Sequence, residues 1–247
     1  MPRQYVTELA DALLAEPGAG LVGVYLHGSA VLGGYIASGS DVDVLAVIAE
    51  PTDVRVQGRM RDRLVSTARR WPTIKLEMSV ITAATAADLG DCPYELHVVV
   101  GDEVRAVLGA GQDGDPDLIL YAEVCRRHGL AVYGPPAGQV FAPVPPARLI
   151  RAVRDEVRWG QQHGHLSYAV LNACRAVRFA TDGVLCSKLD GGQWMLARRS
   201  EEPVIQQALA DQRQGRTRPM TAEAKRFVAQ VLDELSLHVE QAREARR

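Results

Sequence analysis

A chain of 247 residues, 47% hydrophobic and 23% charged, has the balance of an ordinary globular protein and is long enough for one large domain or two modest ones. Its formal net charge of −2 excludes a global field that would hold a long polyanion, so nucleic acid is not expected as a partner. No apolar run reaches the roughly 20 residues of a bilayer span, the start Met1-Pro2-Arg3-Gln4 lacks the apolar core of a secretion signal, and Cys92, Cys125, Cys174 and Cys186 show neither CxxC nor zinc-finger spacing. The expected setting is a reducing cytoplasm, without membrane contact or structural zinc.

The first expected helix covers residues 5–16, with Leu9, Leu13 and Leu14 on one face and Pro17-Gly18 to stop it. Residues 21–26 are apolar and partly β-branched and end at His27-Gly28-Ser29, which suggests a buried strand. Residues 30–35 suit a short helical turn. A second strand is expected over 41–48, a helix over 54–70 with Val56, Met60 and Leu64 four apart, and a third strand over 74–81. This order is the grammar of a small α/β domain. From residue 115 the pattern turns helical, with a helix expected over 117–128. The stretch 133–146 is rich in proline and glycine and reads as a linker. Further helices are expected over 147–162, 166–181, 203–214 and 221–243. The plan is an α/β domain with a small mixed sheet over residues 1–140, followed by a helical bundle over 141–247.

The chemistry concentrates in His27-Gly28-Ser29-Ala30, followed twelve residues after Ser29 by Asp41-Val42-Asp43. Gly28 lets the backbone approach a ligand closely, and Ser29 offers a hydroxyl and an N–H at the start of a turn, where free donors can hold a phosphate. Asp41 and Asp43, two apart on an expected strand, project from one face while Val42 and Val44 face the core. Paired carboxylates suit Mg²⁺, which is held by one or two of them plus phosphate oxygens. In Lys75-Leu76-Glu77-Met78-Ser79-Val80 the alternation sets Glu77 apart from core-facing neighbours. It completes a carboxylate cluster with Asp41 and Asp43 and is suited to accept a hydroxyl proton. Taken alone, an Asp-x-Asp pair is a solvated strand end, a Gly-Ser is a turn and Glu77 is an exposed strand residue; the ordered combination carries the reading. His27 reads as a hydrogen-bonded structural residue, and the remaining histidines show no metal-ligand spacing.

The segments His27-Gly28-Ser29-Ala30-Val31-Leu32-Gly33-Gly34 and Ser40-Asp41-Val42-Asp43-Val44-Leu45 resemble the polymerase-β-like nucleotidyltransferases, in particular the aminoglycoside adenylyltransferases that modify streptomycin and spectinomycin. Leu130-Ala131-Val132-Tyr133-Gly134-Pro135 is similar to that family's segment closing the first domain. Leu171-Asn172-Ala173-Cys174-Arg175 and Gly183-Val184-Leu185-Cys186-Ser187-Lys188 are similar to its helical-domain signatures, so the likeness covers nearly the whole chain. The resemblance implies transfer of AMP from ATP to a small-molecule hydroxyl. Gly28 and Ser29 would touch the triphosphate. Asp41 and Asp43 would bind Mg²⁺ with Glu77 completing the set, and Glu77 would be the general base. Arg175 and Lys188 would reach the ATP phosphates, as suits a triphosphate needing positive charge beyond the metal.

The acceptor side departs from the family. Trp159 matches a family tryptophan, but residues 160–167 contain no Asp or Glu, where streptomycin-accepting members carry acidic residues. A polycationic acceptor wants carboxylates around it, so spectinomycin or another hydroxylated metabolite gains over streptomycin, with Asp102, Glu103, Asp155 and Asp182 as candidate substitutes. Two alternatives stay open: a nucleotidyltransferase acting on another small molecule, a protein or an RNA hydroxyl, and a non-catalytic nucleotide-binding, antitoxin-like module. A single chain holding both domains is expected to work as a monomer.

Overall fold

Residues 2–37, 39–109, 113–199 and 202–244 are described by the computed structural model, and the chain folds as two compact units, Met1–Pro143 and Val144–Arg247. Unit 1 begins with α1 (Pro2–Leu14) and β1 (Leu21–Leu26), continues through a single 3₁₀ turn (Gly28–Ala30) into β2 (Val42–Ile48), and then runs α2 (Val54–Ala68), β3 (Leu76–Thr82), α3 (Ala83–Ala87), β4 (Leu96–Val100), β5 (Val104–Leu108), α4 (Leu118–His128) and β6 (Leu130–Tyr133). The strands form one mixed sheet in the order β5-β4-β3-β2-β1-β6. β2 and β3 run parallel at its centre and every other neighbouring pair is antiparallel.

Alternation along the central strands builds the core on one face. Val42, Val44, Ala46 and Ile48 of β2 join Leu76, Met78 and Val80 of β3 and pack with Tyr5, Leu9 and Leu13 of α1 and Met60 and Leu64 of α2. Each large side chain buried this way contributes roughly 1.5–3 kcal/mol. α2 starts where Asp53 accepts the N–H groups of Arg55 and Val56 at 2.8 and 2.9 Å, an N-cap that satisfies two otherwise orphaned donors. The buried carboxylate of Glu16, just past α1, accepts from Arg59 at 2.8 Å and Arg63 at 3.1 Å and so ties the two helices together.

Unit 2 consists of α5 (Pro146–His163), α6 (Leu166–Asp182), α7 (Lys188–Arg198), α8 (Pro203–Arg213) and α9 (Ala222–Glu244). α6 is the central helix, with Leu166, Ala169, Val170, Leu171, Ala173, Cys174, Ala176 and Val177 all buried. It ends on Gly183, whose φ of +70° forms a left-handed C-cap. Among the described residues no helix is long and apolar enough to cross a membrane.

The expected long helices and the first three strands are present, with ends moved by at most three residues, while the helical turn expected over 30–35 is instead the 3₁₀ turn at Gly28–Ala30. β4, β5, β6, α3 and α7 are additions, and β6 interrupts the stretch expected to be helical from residue 115 onward. β5 is exposed along nearly its whole length, so it carries no alternation. α7 contains Gly191-Gly192, which lowers helix propensity. Packing explains that pair: a Cβ on Gly191 would lie 2.8 Å from Cα of Arg175, and one on Gly192 would meet Leu171 at 2.7 Å and Leu209 at 2.8 Å. Close approach of α7 to α6 requires what the propensity opposes.

Candidate active site

Two neighbouring parallel strands set a pair of carboxylates side by side. Asp43 is in register with Glu77, and each is the second residue of its strand. Their strand neighbours Val42, Val44, Leu76 and Met78 point into the core, so both carboxylates lie on the opposite face. Like charges directly opposite each other destabilise a sheet, so packing gives no reason for this pair.

β1 supplies the next part. Its last residue, Leu26, pairs with Val44, and His27 extends the ladder by donating its N–H to the Asp43 carbonyl at 2.9 Å. Gly28 then turns the chain with φ of +60°. A Cβ there would lie 2.6 Å from Cγ of Asp43, so the turn demands glycine. The Ser29 N–H donates to Oδ2 of Asp43 at 3.3 Å. Ser29 Oγ is buried and has no hydrogen-bond partner among the described residues. A buried hydroxyl left unpaired costs on the order of 1–3 kcal/mol, which marks a position for a ligand atom.

Asp41 is the residue before β2 rather than its first member. It lies near Tyr35, whose phenol is pushed upward first by burial and then by the Asp41 charge. His27 is buried, and burial pushes its imidazole down to about 3, so it is neutral and structural. Among the described residues no three His, Cys, Asp or Glu side chains close into a ready-made metal cage. A magnesium ion that shares its shell with triphosphate oxygens needs only one or two carboxylates. Asp43 with Asp41 two residues before it, beside the unpaired Ser29 hydroxyl, fits an ion of that kind.

Sequence reasoning missed Tyr121, in the first turn of α4. Its hydroxyl donates to Oε1 of Glu77 at 2.7 Å, and its ring lies 5.0 Å from that of His27. No spacing rule connects residues 44 apart; only the docking of α4 on the sheet does.

Unit 2 holds the other candidates in two groups. In the first, Glu156 of α5 accepts from Tyr168 Oη at 2.7 Å and Asn172 Nδ2 at 3.1 Å, and Arg175 stands 3.7 Å from the same carboxylate. Lys188, at the start of α7, lies over the Tyr168 ring at 4.3 Å, and half-exposed Trp159 packs edge-on against that ring at 5.7 Å. Arg175, Lys188 and Trp159 thus gather around Tyr168 and Glu156, neither of which stands out in the sequence. The second group is scattered. Asp155 is paired with Arg154 at 2.8 Å and Arg158 at 3.1 Å. Asp182 accepts from Trp194 Nε1 at 2.9 Å and faces Arg198 at 4.0 Å. Both carboxylates are already matched by cations of their own unit.

A mixed sheet with a glycine–serine turn pressed against a strand carboxylate is the arrangement expected from the sequence resemblance to nucleotidyltransferases. Residues 139–236 match the family description "Aminoglycoside adenylyltransferase, C-terminal domain". Spectinomycin 9-adenylyltransferase of Staphylococcus aureus is 27% identical over 198 residues, covering 76% of this chain and 75% of the relative. Aminoglycoside (3'') (9) adenylyltransferase of Escherichia coli is 26% identical over 232 residues, covering 87% and 88%. The fold is shared with a spectinomycin adenyltransferase from Enterococcus faecialis solved with ATP and spectinomycin, at a TM-score of 0.68 and 17% identity over 96% of this chain and 98% of that one. The chain is thus similar to the aminoglycoside adenylyltransferases over most of its length, and its C-terminal residues 139–236 match their C-terminal domain.

Proposed function

We propose that this enzyme transfers AMP from ATP to a hydroxyl of an aminocyclitol antibiotic, spectinomycin before streptomycin, releasing pyrophosphate and so conferring resistance. The observation that carries the reading is the placing of Asp43 opposite Glu77, with Gly28 closed against Asp43 and the Ser29 hydroxyl buried without a partner. Asp41 and Asp43 hold Mg²⁺, with Glu77 beside them. The metal, when bound, neutralises phosphate charge and polarises the α-phosphate. Gly28 and Ser29 receive the triphosphate through backbone and hydroxyl donors. Arg175 and Lys188 supply positive charge to the phosphates. Glu77 takes the proton of the acceptor hydroxyl as its oxygen bonds to the α-phosphorus and the bond to pyrophosphate breaks, the electron pair leaving on pyrophosphate.

Trp159, Asp155 and Asp182 are the residues proposed toward the acceptor. The ion pairs of Asp155 and Asp182 support a less highly charged acceptor, because a carboxylate already matched by Arg has little attraction left for a polycation. The test is pyrophosphate release with ATP and Mg²⁺ against spectinomycin, streptomycin and other aminocyclitols, with the product identified by mass spectrometry. Turnover of spectinomycin to a singly adenylylated product is expected. Silence across the panel while ATP still binds would sink the acceptor assignment.

The orphaned hydroxyl gives a separate expectation. Ser29→Ala removes an unpaired buried group, so the melting temperature should hold or rise slightly, while KM for ATP rises by about 10–100-fold, as for one lost hydrogen bond to a charged group. A fall in stability with unchanged KM would mean that the hydroxyl serves the fold.

A further inference from the structure

We propose that Tyr121 is a positioning residue for the general base, holding one oxygen of Glu77 so that the other is left to take the acceptor's proton; this rests on the reading of Glu77 as the base. A glutamate on a strand has three rotatable bonds, and here Asp43 stands directly opposite on the neighbouring strand. Repulsion between the two carboxylates favours rotamers that swing Glu77 away from Asp43. The Tyr121 hydroxyl opposes that swing with a 2.7 Å bond to Oε1, within the range of a charge-assisted O–H···O⁻ contact.

The donor is itself held firmly. Tyr121 belongs to α4, whose Leu118, Ala122 and Cys125 are buried, and its ring packs 5.0 Å from that of buried His27. His27 in turn is fixed to Asp43 through its backbone N–H. One chain of contacts, Asp43–His27–Tyr121–Glu77, therefore sets the second carboxylate relative to the first. Burial, then the nearby negative charges of Glu77 and Asp117, pushes the Tyr121 phenol well above its ordinary value, so it stays a donor across any working pH. With Oε1 taken, Oε2 of Glu77 has no other hydrogen bond among the described residues. That oxygen accepts the acceptor's proton as the new O–P bond forms and pyrophosphate departs. The same bond discourages Glu77 from turning both oxygens onto a cation, which favours a base over a bidentate metal ligand.

The test is Tyr121→Phe, which keeps the ring and removes the donor. Steady-state turnover is measured with ATP and Mg²⁺, using spectinomycin as acceptor and, in parallel, streptomycin and water. A 10–100-fold fall in kcat is expected, the range for losing a partner that orients a reacting group. KM for ATP, and Mg·ATP affinity by calorimetry, should stay within about 2-fold, since binding is left intact. A structural role would move binding and melting temperature together. The decisive arm is the cycle with Glu77→Gln: if Tyr121 acts through Glu77, Tyr121→Phe adds no further loss in the Gln background. An equal loss in both backgrounds, or a kcat within 2-fold of native for Tyr121→Phe alone, overturns the proposal; the calorimetric arm still separates binding from positioning should the melting temperature fall. Full activity of Glu77→Gln overturns the reading of Glu77 itself.

Discussion

Gly28→Ala is expected to reduce kcat/KM by about 100-fold or more while the protein still folds, the loss expected for a shift of about 1 Å in a reacting group. The added methyl would lie 2.6 Å from Cγ of Asp43, so the carboxylate must move or the turn must open. Either response also breaks the 3.3 Å contact from the Ser29 N–H to Oδ2. The backbone adds strain, because φ at Gly28 is +60°, where a side chain costs on the order of 1–2 kcal/mol. That cost is small against the 5–15 kcal/mol stability of a typical domain, so folded but inactive protein should be recovered. Circular dichroism checks the fold and pyrophosphate release checks turnover. The magnitude should approach that of Asp43→Asn, since both changes act on one carboxylate. Native-like turnover in Gly28→Ala would mean that the position of Asp43 does not matter to the reaction.

The parts of this site that are legible in the sequence are those written at short range. Alternation at two residues sends Val42, Val44, Leu76 and Met78 into the core, and that local pattern alone puts Asp43 and Glu77 on the other face. A strand that ends in Gly-Ser announces a turn. Register is different: the pairing of Asp43 with Glu77 rather than with Leu76 or Met78 is decided by the packing of whole strands, and no local pattern encodes it. The Tyr121 contact depends on where α4 docks, and the unpaired state of the Ser29 hydroxyl depends on what surrounds it.

The fold divides in the same way. α2 and α6 carry strong 3.6-residue periodicity and a cap or breaker at an end, so local physics names them. β5 is an edge strand, exposed on both faces, and its ladder with β4 holds it without alternation. α7 has two glycines that argue against a helix, yet they are what lets it approach Arg175 and Leu171. In unit 2 the sequence points to charges rather than their balance. Asp155 and Asp182 are as acidic as expected, but Arg158 one turn along the same helix and Arg198 on another are what decide their use.

Replacing Arg216 and Arg218 together by Ala should cost about 3 kcal/mol of stability at neutral pH, the lower end for leaving a buried carboxylate uncompensated. Asp211 of α8 is fully buried. It accepts from Gln207 at 3.0 Å, from Arg216 at 3.1 Å and from Arg218 at 3.0 Å. Both arginines are about half exposed, which is why the lower end applies. The pairing also anchors the chain beyond α8: the Arg216 N–H donates to the Asp211 carbonyl at 2.9 Å, and the Arg218 carbonyl accepts from Leu166 at the start of α6 at 2.8 Å. The sign of the pH dependence tests the cause. In the native protein burial raises the Asp211 carboxyl, but the Arg218 and Gln207 hydrogen bonds and the Arg216 charge outweigh it and leave the group below 3.8. Its contribution is therefore present above about pH 4 and lost as pH falls through the folded value. Without the arginines burial prevails and the folded value rises above the unfolded one. The variant then loses stability as pH climbs through the range from about 4 to 7, where the native protein does not. Urea midpoints followed by fluorescence at pH 4 and pH 7 should thus diverge between the two proteins. Adding Asp211→Asn to the variant should recover most of the loss at pH 7, because the uncompensated charge is gone. An equal deficit at both pH values, unrelieved by Asn, would assign the effect to loop anchoring rather than to the buried charge.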